Sequence, residues 1–385
     1  MRKNIITFKG TNDVVNSFID QLIAFCKKRD IGCYCADSTN EKSWNNNCFL
    51  DYIAQNDCVL LAFNHIGINI NLSGKNIWNE YNIHVYDYLL DHPRMVDEYF
   101  KNEPCLITYL VADYNHLALI KDFFPNANVC FMPLGGTILN KCPKYSDRKY
   151  DVICLSECNT FYGFKKIPFF QDNGQLFYNY TYNFMLCNPN KSTEEAIASF
   201  LSDNNIIITP DDLYQLYFNF SSELESSIRR HFKLEGMKAL SDLGINVLTF
   251  GKGWDDQSYS FSDNIIRHDR IPMHELSSLL ANSKIALCFM PWIKNGVGEK
   301  NLNALLSGAI CVSDYNSYLA TRYIDGKNII YFDLANPKQM ALDIKWLLSH
   351  EQAAETIACN GYNTALKYDT WEERYSEIYN FISSQ

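Results

Sequence analysis

Residues 295–314 read NGVGEKNLNALLSGAICVSD, in which two glycines precede a helix-like run and a third precedes a strand-like run. The loop Asn295–Gly298 leads into a run with helical spacing, and Gly308 separates that run from the compact apolar segment Ala309–Ser313. Loop, helix, turn and buried strand in this order are typical of one step of a parallel α/β sheet. A glycine loop that ends at a helix N-terminus can also present backbone N–H groups to a phosphate. Glycines placed only for backbone reasons would produce the same pattern.

The alternation of strand-like and helix-like segments extends along the whole chain. In Val14–Cys26, for example, apolar residues recur on one face of a helix. Strands separated by helices predict parallel sheets with right-handed crossovers. The strand-like runs are Asn4–Phe8, Ile31–Cys35, Cys58–Phe63, Leu106–Ala112, Asn128–Leu134, Asp151–Leu155, Asn246–Phe250, Asn264–Arg267, Ile285–Phe289, Ala309–Ser313 and Asn328–Phe332.

The length of the chain predicts two domains. A chain of 385 residues is longer than the roughly 250 to 300 residues at which a single core usually stops growing. The polar stretch 140–149 resembles a linker, so we predict domains at residues 1–145 and 146–370. The second domain carries a helical insert at 160–240, where Ser192 and Thr209 are helix start signals. Residues 371–385 fit an amphipathic terminal helix.

Composition excludes several classes of protein. The chain has 34 basic and 44 acidic residues and a net charge of −10, which argues against a general attraction to nucleic acid or anionic lipid. The net charge does not exclude a local basic pocket or a peripheral membrane contact. The 14 cysteines are scattered without CxxC pairs, which favours free thiols over a metal site. The N-terminus lacks the apolar segment of a signal peptide, and no uninterrupted apolar run reaches about 18 residues. We therefore expect a soluble, cytoplasmic protein.

Four motifs follow one another in the second half of the chain. They are GINVLTFGKGW (244–254), IPMHELSSLLANSKIALCFMP (271–291), NALLSGAICVSD (303–314) and the segment from FDLANPKQM to ERYSEI (332–378). Their order resembles the C-terminal domain of GT-B glycosyltransferases of the family 1 and 4 type, and is most similar to the CgeB-like, spore-maturation group. In the first half, DHPRMVDEYF (91–100) and NVCFMPLGG (128–136) are similar to segments of the same group.

The resemblance implies an α/β protein of the GT-B fold, in which two Rossmann-like parallel-sheet domains face a cleft and a C-terminal helix crosses back to pack on the N-terminal domain. It implies a metal-independent transferase that moves a sugar from a nucleotide-diphosphate donor, UDP- or GDP-sugar, to a glycan, a lipid-linked sugar or a protein, as in bacterial cell-surface glycan synthesis. No other cofactor is implied. Two alternatives stay open: a catalytically inactive sugar-nucleotide-binding or scaffold homologue, and a sugar-nucleotide epimerase of GT-B shape.

In such enzymes the second domain holds the donor, and its departing diphosphate is stabilised by helix N-terminal amides and by cations. Many retaining GT-B families carry two glutamates eight positions apart in this region. The matching residues in this chain are Asn295 and Asn303, which leaves open the stereochemistry of the transfer and the identity of the donor. Glu299 lies out of register and favours the helix N-terminus through the dipole. We predict a donor site formed by Gly251, Lys252, Lys294, Asn295, Gly296, Val297, Gly298, Lys300 and Asn303. We expect Arg229, Arg230 and His231 to form a solvated helix face rather than a phosphate clamp.

The first domain contains the candidate catalytic residues for the acceptor. Asp91 and His92 follow the apolar run Val85–Leu90; the imidazole suits a general base and the carboxylate suits an orienting group. A plain turn would explain the same residues. Asp113 and His116 form a second such pair. The aromatic run at residues 161–184 could dock a sugar or a lipid, but we expect it to form core.

Overall fold

The structure is a computed structural model that describes residues 3–139, 143–161, 174–255 and 259–385, without the side chains of Met273 and His274. The central part of the aromatic run, residues 162–173, lies outside the described residues. The chain divides into two compact units: unit 1 comprises Met1–Gly135 with Asp369–Gln385, and unit 2 comprises Gly136–Tyr368.

The elements are numbered in chain order. The strands are β1 Asn4–Lys9, β2 Cys33–Asp37, β3 Cys58–Phe63, β4 Asn71–Leu72, β5 Lys75–Asn76, β6 His84–Leu89, β7 Ile107–Val111, β8 Asn128–Phe131, β9 Tyr150–Cys154, β10 Val247–Phe250, β11 Ile265–His268, β12 Ser283–Cys288, β13 Ile310–Asp314 and β14 Ile330–Phe332. The helices are α1 Asp13–Lys28, α2 Asn47–Gln55, α3 Ile77–Glu80, α4 Asp97–Lys101, α5 Tyr114–Phe123, α6 Gly174–Cys187, α7 Thr193–Asp203, α8 Pro210–Tyr214, α9 Ser221–Asp242, α10 Met273–Ala281, α11 Glu299–Leu306, α12 Pro337–Ser349, α13 Glu351–Tyr368 and α14 Trp371–Ser384.

Unit 1 is built on a parallel sheet with the strand order β2-β1-β3-β6-β7-β8, beside the small antiparallel hairpin β4-β5. The last helix, α14, packs on α1 within this unit. The ring of Trp371 lies 4.5 Å from that of Phe18, and the Tyr375 hydroxyl donates to the Phe18 carbonyl at 2.7 Å. Both α14 side chains are 1% exposed, because the apolar stripe of this amphipathic helix lies against the core.

Unit 2 is built on a second parallel sheet with the order β11-β10-β9-β12-β13-β14. The predicted fold class, two parallel α/β sheets, is therefore confirmed. Between β9 and α9 lie α6 to α8 and a π-helix at Gln215–Phe220. The predicted capping box at the start of α7 is confirmed, because Ser192 Oγ accepts from the Glu195 N–H and the Glu195 carboxylate accepts from the Ser192 N–H.

The described part of the polar stretch 140–149 belongs to unit 2 and is not a solvated linker. Tyr145 and Arg148 are both 6% exposed. The Arg148 guanidinium donates to the carbonyls of Ser283 and Ser307, at 2.8 Å in each case. These contacts attach the segment to the start of β12 and the end of α11, so the unit boundary lies before it.

Searched over the described residues, no helix combines the length and the apolar character needed to cross a membrane.

Candidate functional site

The strand order of unit 2 reverses between β9 and β12, because the chain builds outward on one side of β9 through β10 and β11 and then returns to the other side. At such a point the loops after the two central strands diverge and leave a crevice at the carboxyl ends of the strands. The loops concerned are residues 155–160 after β9 and residues 289–298 after β12. Ligands of open α/β sheets bind at this edge.

The two glycines of the predicted segment Gly251-Lys252-Gly253 are explained by packing against the loop after β9. They have φ values of 87° and 86°, and a Cβ on Gly251 would lie 2.2 Å from Glu157 Cγ. A Cβ on Gly253 would lie 2.5 Å from the Cys158 carbonyl oxygen. The Cys158 N–H donates to the Lys252 carbonyl at 3.0 Å. The glycines thus bring the loops after β10 and β9 together, while the Lys252 side chain is exposed.

The predicted glycine loop ends at the N-terminus of α11. Gly296, Val297 and Gly298 are buried. Gly298 is the N-cap of α11, where a Cβ would lie 2.1 Å from Met290 Cε, and no side chain caps the first turn. The N–H groups of that first turn therefore lack the usual side-chain acceptor, and the helix dipole favours an anion there. Lys300, in this first turn, is partly exposed.

Three other residues of the predicted donor site have partners inside unit 2. The buried Lys294 ammonium donates to the Pro189 carbonyl, between α6 and α7. Asn295 Oδ1 accepts from the Ser317 hydroxyl at 2.8 Å, and Asn303 Oδ1 accepts from the Thr137 N–H at 2.8 Å. Each contact anchors one segment of the unit to another.

A cluster of cations surrounds Trp292 in the loop after β12. The distances from its ring centroid are 3.4 Å to Arg229 Cζ, 5.7 Å to Lys233 Nζ and 6.0 Å to Lys300 Nζ. Lys233 is 2% exposed and donates to the Glu157 carbonyl at 2.7 Å. Burial lowers the pKa of Lys233 well below its ordinary value, and the neighbouring Arg229 and Lys300 cations lower it further. Arg229 also pairs with Glu225 at 3.3 Å. Arg229 and Lys300 thus place positive charge beside Trp292 at the switch point. We call Arg229, Lys233, Lys300 and Trp292 the cation cluster.

The expectation that Arg229, Arg230 and His231 form a solvated helix face is wrong. All three are partly buried, and Arg230 Nη1 donates to the Asn159 carbonyl at 2.9 Å. Sequence reasoning also missed Lys233 and Trp292. The spacing of Arg229 and Lys233, four residues apart on one helix, could have indicated a shared face.

Asp314, at the end of β13, gives a prediction about stability. Its Oδ1 accepts from the Met290 N–H at 2.6 Å. Burial raises the pKa of Asp314 to about 6, against the opposing effect of the Lys294 ammonium. The folded state therefore retains a proton that the unfolded state releases between about pH 4 and pH 6, so the free energy of unfolding should fall as the pH rises through this window. Two pKa units correspond to about 3 kcal/mol at most.

Asp314→Asn tests this prediction, because the amide oxygen can still accept from Met290 and the group no longer titrates. In denaturant unfolding at pH 4 and pH 7, the wild type should lose up to about 3 kcal/mol more stability than the variant. Parallel pH dependence in the two proteins would contradict a raised pKa at Asp314.

The candidate residues for the acceptor lie at the carboxyl ends of the unit 1 strands. Asp91 is exposed, and its Oδ2 accepts from Asn64 Nδ2 at 2.8 Å. His92 Nδ1 accepts from the Arg94 N–H at 3.2 Å, and its ring lies 4.6 Å from the His116 ring. The structure thus brings His92 and His116 together.

Asp113, the other member of the second predicted pair, has a local structural contact. It is 2% exposed and is the N-cap of α5, where its Oδ1 accepts from the Asn115 N–H at 2.7 Å. This is the ordinary role of an aspartate before a helix.

Residues 229–380 match the family described as glycosyl transferase-like. No curated protein sequence matches the chain. Among solved structures the chain is similar to an alpha-glucosyltransferase in complex with UDP and a 13-mer DNA (11% identity, 100% of each chain covered, TM-score 0.57). It is also similar to sucrose-phosphate synthase from Thermosynechococcus elongatus (10% identity, 100% of this chain and 99% of that chain, TM-score 0.56) and to T4 phage BGT in complex with UDP-glucose (12%, 99% and 98%, TM-score 0.55). The match to the TarM structure covers 84% of this chain but only 54% of TarM, at 11% identity and a TM-score of 0.49.

The chain therefore has the GT-B fold, as the sequence motifs predict. The match to the glycosyl transferase-like family lies in residues 229–380, a segment that includes most of unit 2. The assignment to the CgeB-like group stays a prediction.

Proposed function

We propose that the protein transfers a sugar from a nucleotide-diphosphate donor, with a UDP-sugar as first choice, to a hydroxyl of a glycan, a lipid-linked sugar or a protein. The observation that carries this proposal is the cation cluster at the switch point of unit 2, beside the uncapped N-terminus of α11. UDP in the alpha-glucosyltransferase structure and UDP-glucose in the T4 phage BGT structure support the choice of nucleotide.

In the proposed reaction the bond between the anomeric carbon and the diphosphate breaks, and its electron pair leaves with the nucleoside diphosphate. Lys300 and Arg229 stabilise that developing charge, and the first-turn amides of α11 add fixed dipoles. Gly296, Val297 and Gly298 shape the approach to those amides, while Lys252 is an exposed cation next to the loop after β9. Lys294, Asn295 and Asn303 hold the surrounding segments in place. His92 and Asp91 act on the acceptor hydroxyl.

The acceptor is proposed to be a carbohydrate or a protein rather than nucleic acid, because the net charge of −10 opposes a polyanion. A bacterial cell-surface glycan, made on the cytoplasmic side with peripheral membrane contact, fits this chemistry. Release of UDP from UDP-sugars, measured with and without added glycan, lipid-linked or protein acceptors and with a DNA oligonucleotide as the comparison, tests the proposal. Binding of UDP-sugars without any turnover would instead support the inactive homologue, and interconversion of donor isomers the epimerase.

We expect nucleotide binding to be independent of metal. Lysine and arginine side chains and helix amides can neutralise a diphosphate without a divalent cation. The affinity for UDP, measured by calorimetry, should therefore be the same within about twofold with a chelator and with added Mg²⁺, a difference of less than half a kcal/mol. Loss of binding on chelation would show that a metal ion carries the diphosphate, and would contradict the role of the cation cluster.

A further inference from the structure

Two residues that follow β3 in unit 1 have an unusual backbone conformation. Asn64 and His65 have φ values of 46° and 63°. Residues other than glycine rarely adopt this left-handed region, and two in succession persist only where the surrounding contacts hold them. Strain of this kind is concentrated at functional sites.

The contacts that hold His65 come from a buried aspartate on the neighbouring strand. Asp87, in β6, accepts from the His65 N–H through Oδ1 at 3.0 Å, and its Oδ2 lies against His65 Nδ1. The two side chains are 0% and 6% exposed, respectively. The Tyr99 ring stacks on the imidazole with the centroids 4.0 Å apart. His65 is therefore fixed through its main chain, its ring edge and its ring face.

Asn64 connects these buried contacts to an exposed side chain. Its N–H donates to the Tyr88 carbonyl at 3.0 Å, and its Oδ1 accepts from the Leu90 N–H at 2.8 Å. The remaining amide group, Nδ2, donates to Asp91 Oδ2 at 2.8 Å. An exposed carboxylate is thus held in one orientation by a carboxamide that is itself held by the end of β6.

His92 has a different local role. Its Nδ1 accepts from the Arg94 N–H and so caps the short 3-10 helix Pro93–Met95. A nitrogen that accepts this hydrogen bond presents its lone pair to the backbone, so taking a proton there would break the cap. The neighbouring Asp91 carboxylate does not cap this helix, so it can take a proton without breaking the cap.

We propose that Asp91 is the base that receives the proton of the acceptor hydroxyl, that Asn64 is its positioning residue, and that the buried Asp87–His65 pair fixes Asn64. This inference rests on the proposed function. The O–H proton passes to the Asp91 carboxylate while the acceptor oxygen bonds to the anomeric carbon. The bond from that carbon to the diphosphate breaks, and its electron pair leaves with the nucleoside diphosphate.

The variant Asn64→Asp separates positioning from folding. The new side chain has the same shape, and one of its oxygens can still accept from the Leu90 N–H. The other oxygen replaces the donor to Asp91 with a second negative charge. We expect kcat to fall by about tenfold or more near neutral pH, since a general base contributes about 10²- to 10⁴-fold and works only in the correct geometry. The donor KM and the melting temperature should not change.

A pH series of kcat distinguishes the positioning role of Asn64 from a purely structural one. When the introduced carboxyl is protonated it can donate to Asp91 again, so the ratio of variant to wild-type kcat should rise as the pH is lowered. Asn71→Asp is the matched control, because it makes the same charge change at an exposed residue of β4 in the same unit. Its activity should remain that of the wild type throughout the series.

The outcomes separate the inference from the function on which it rests. Wild-type kcat in Asn64→Asp, or a loss that is independent of pH and accompanied by a lower melting temperature, would overturn the positioning role. If the wild type transfers no sugar to any acceptor, the proposed function fails. Crystal structures of the wild type and the variant then decide the positioning alone: a displaced Asp91 carboxylate supports it and an unmoved one overturns it.

Discussion

Replacing Asp91 by asparagine should lower sugar transfer by about 10²- to 10⁴-fold, the usual contribution of a general base. The amide keeps the size of the side chain but cannot take a proton. Affinity for UDP should stay within about twofold, because the nucleotide site is proposed in the other unit. Single-turnover transfer and calorimetry measure the two quantities separately.

His92→Ala is the informative comparison for Asp91→Asn. If Asp91 is the base, loss of the His92 cap should lower stability by about 0.5 to 2 kcal/mol and reduce transfer only slightly. If His92 is the base, His92→Ala should lower transfer more than Asp91→Asn does, and Asp91 is then the group that orients His92. Normal transfer in both variants would remove this pair from the mechanism and make His116 the next residue to test.

The second large effect is expected in the cation cluster. Lys300→Ala and Arg229→Ala should each weaken UDP binding by about 10- to 150-fold, because each loses a charge-assisted hydrogen bond of about 1.5 to 3 kcal/mol. If the two side chains act independently, their effects on the binding free energy should add in the double variant. Calorimetry with UDP measures all three variants.

Lys338→Ala is the matched control, since Lys338 is an exposed lysine on α12 of the same unit. Removing it changes the net charge equally and should leave UDP binding unaltered. Wild-type affinity in Lys300→Ala and Arg229→Ala would place the diphosphate elsewhere. A loss equal to that of the control would mean that only the net charge of the protein matters.

The fold could be predicted from the sequence because its signals are local. The apolar runs Cys58–Phe63 and Ile285–Phe289 match β3 and β12 closely. β6 is absent from the predicted strands, although the apolar run Val85–Leu90 overlaps it, and Asp87 lies within that run. That aspartate is tolerated in a buried strand because the His65 N–H donates to its Oδ1, while its Oδ2 lies against the imidazole.

The site was only partly predictable, because its contacts join residues that are distant in the chain. Lys294 and Lys300 look equivalent in the sequence, yet Lys294 is buried against the Pro189 carbonyl while Lys300 lies partly exposed near Trp292. Lys233 lies far from the glycine loop in sequence and reaches the site only through the return of α9 to the sheet. No spacing rule connects these segments.

The position of α14 in unit 1 has a consequence for biosynthesis. The ribosome completes Met1–Gly135 first, but the helix that packs on Phe18 is synthesised only after the whole of unit 2. At about 5 to 20 residues per second, translation of the intervening residues 136–368 takes roughly 10 to 50 s. During that interval Phe18 lacks its native contacts with Trp371 and Tyr375, so unit 1 cannot complete its core until α14 has been synthesised.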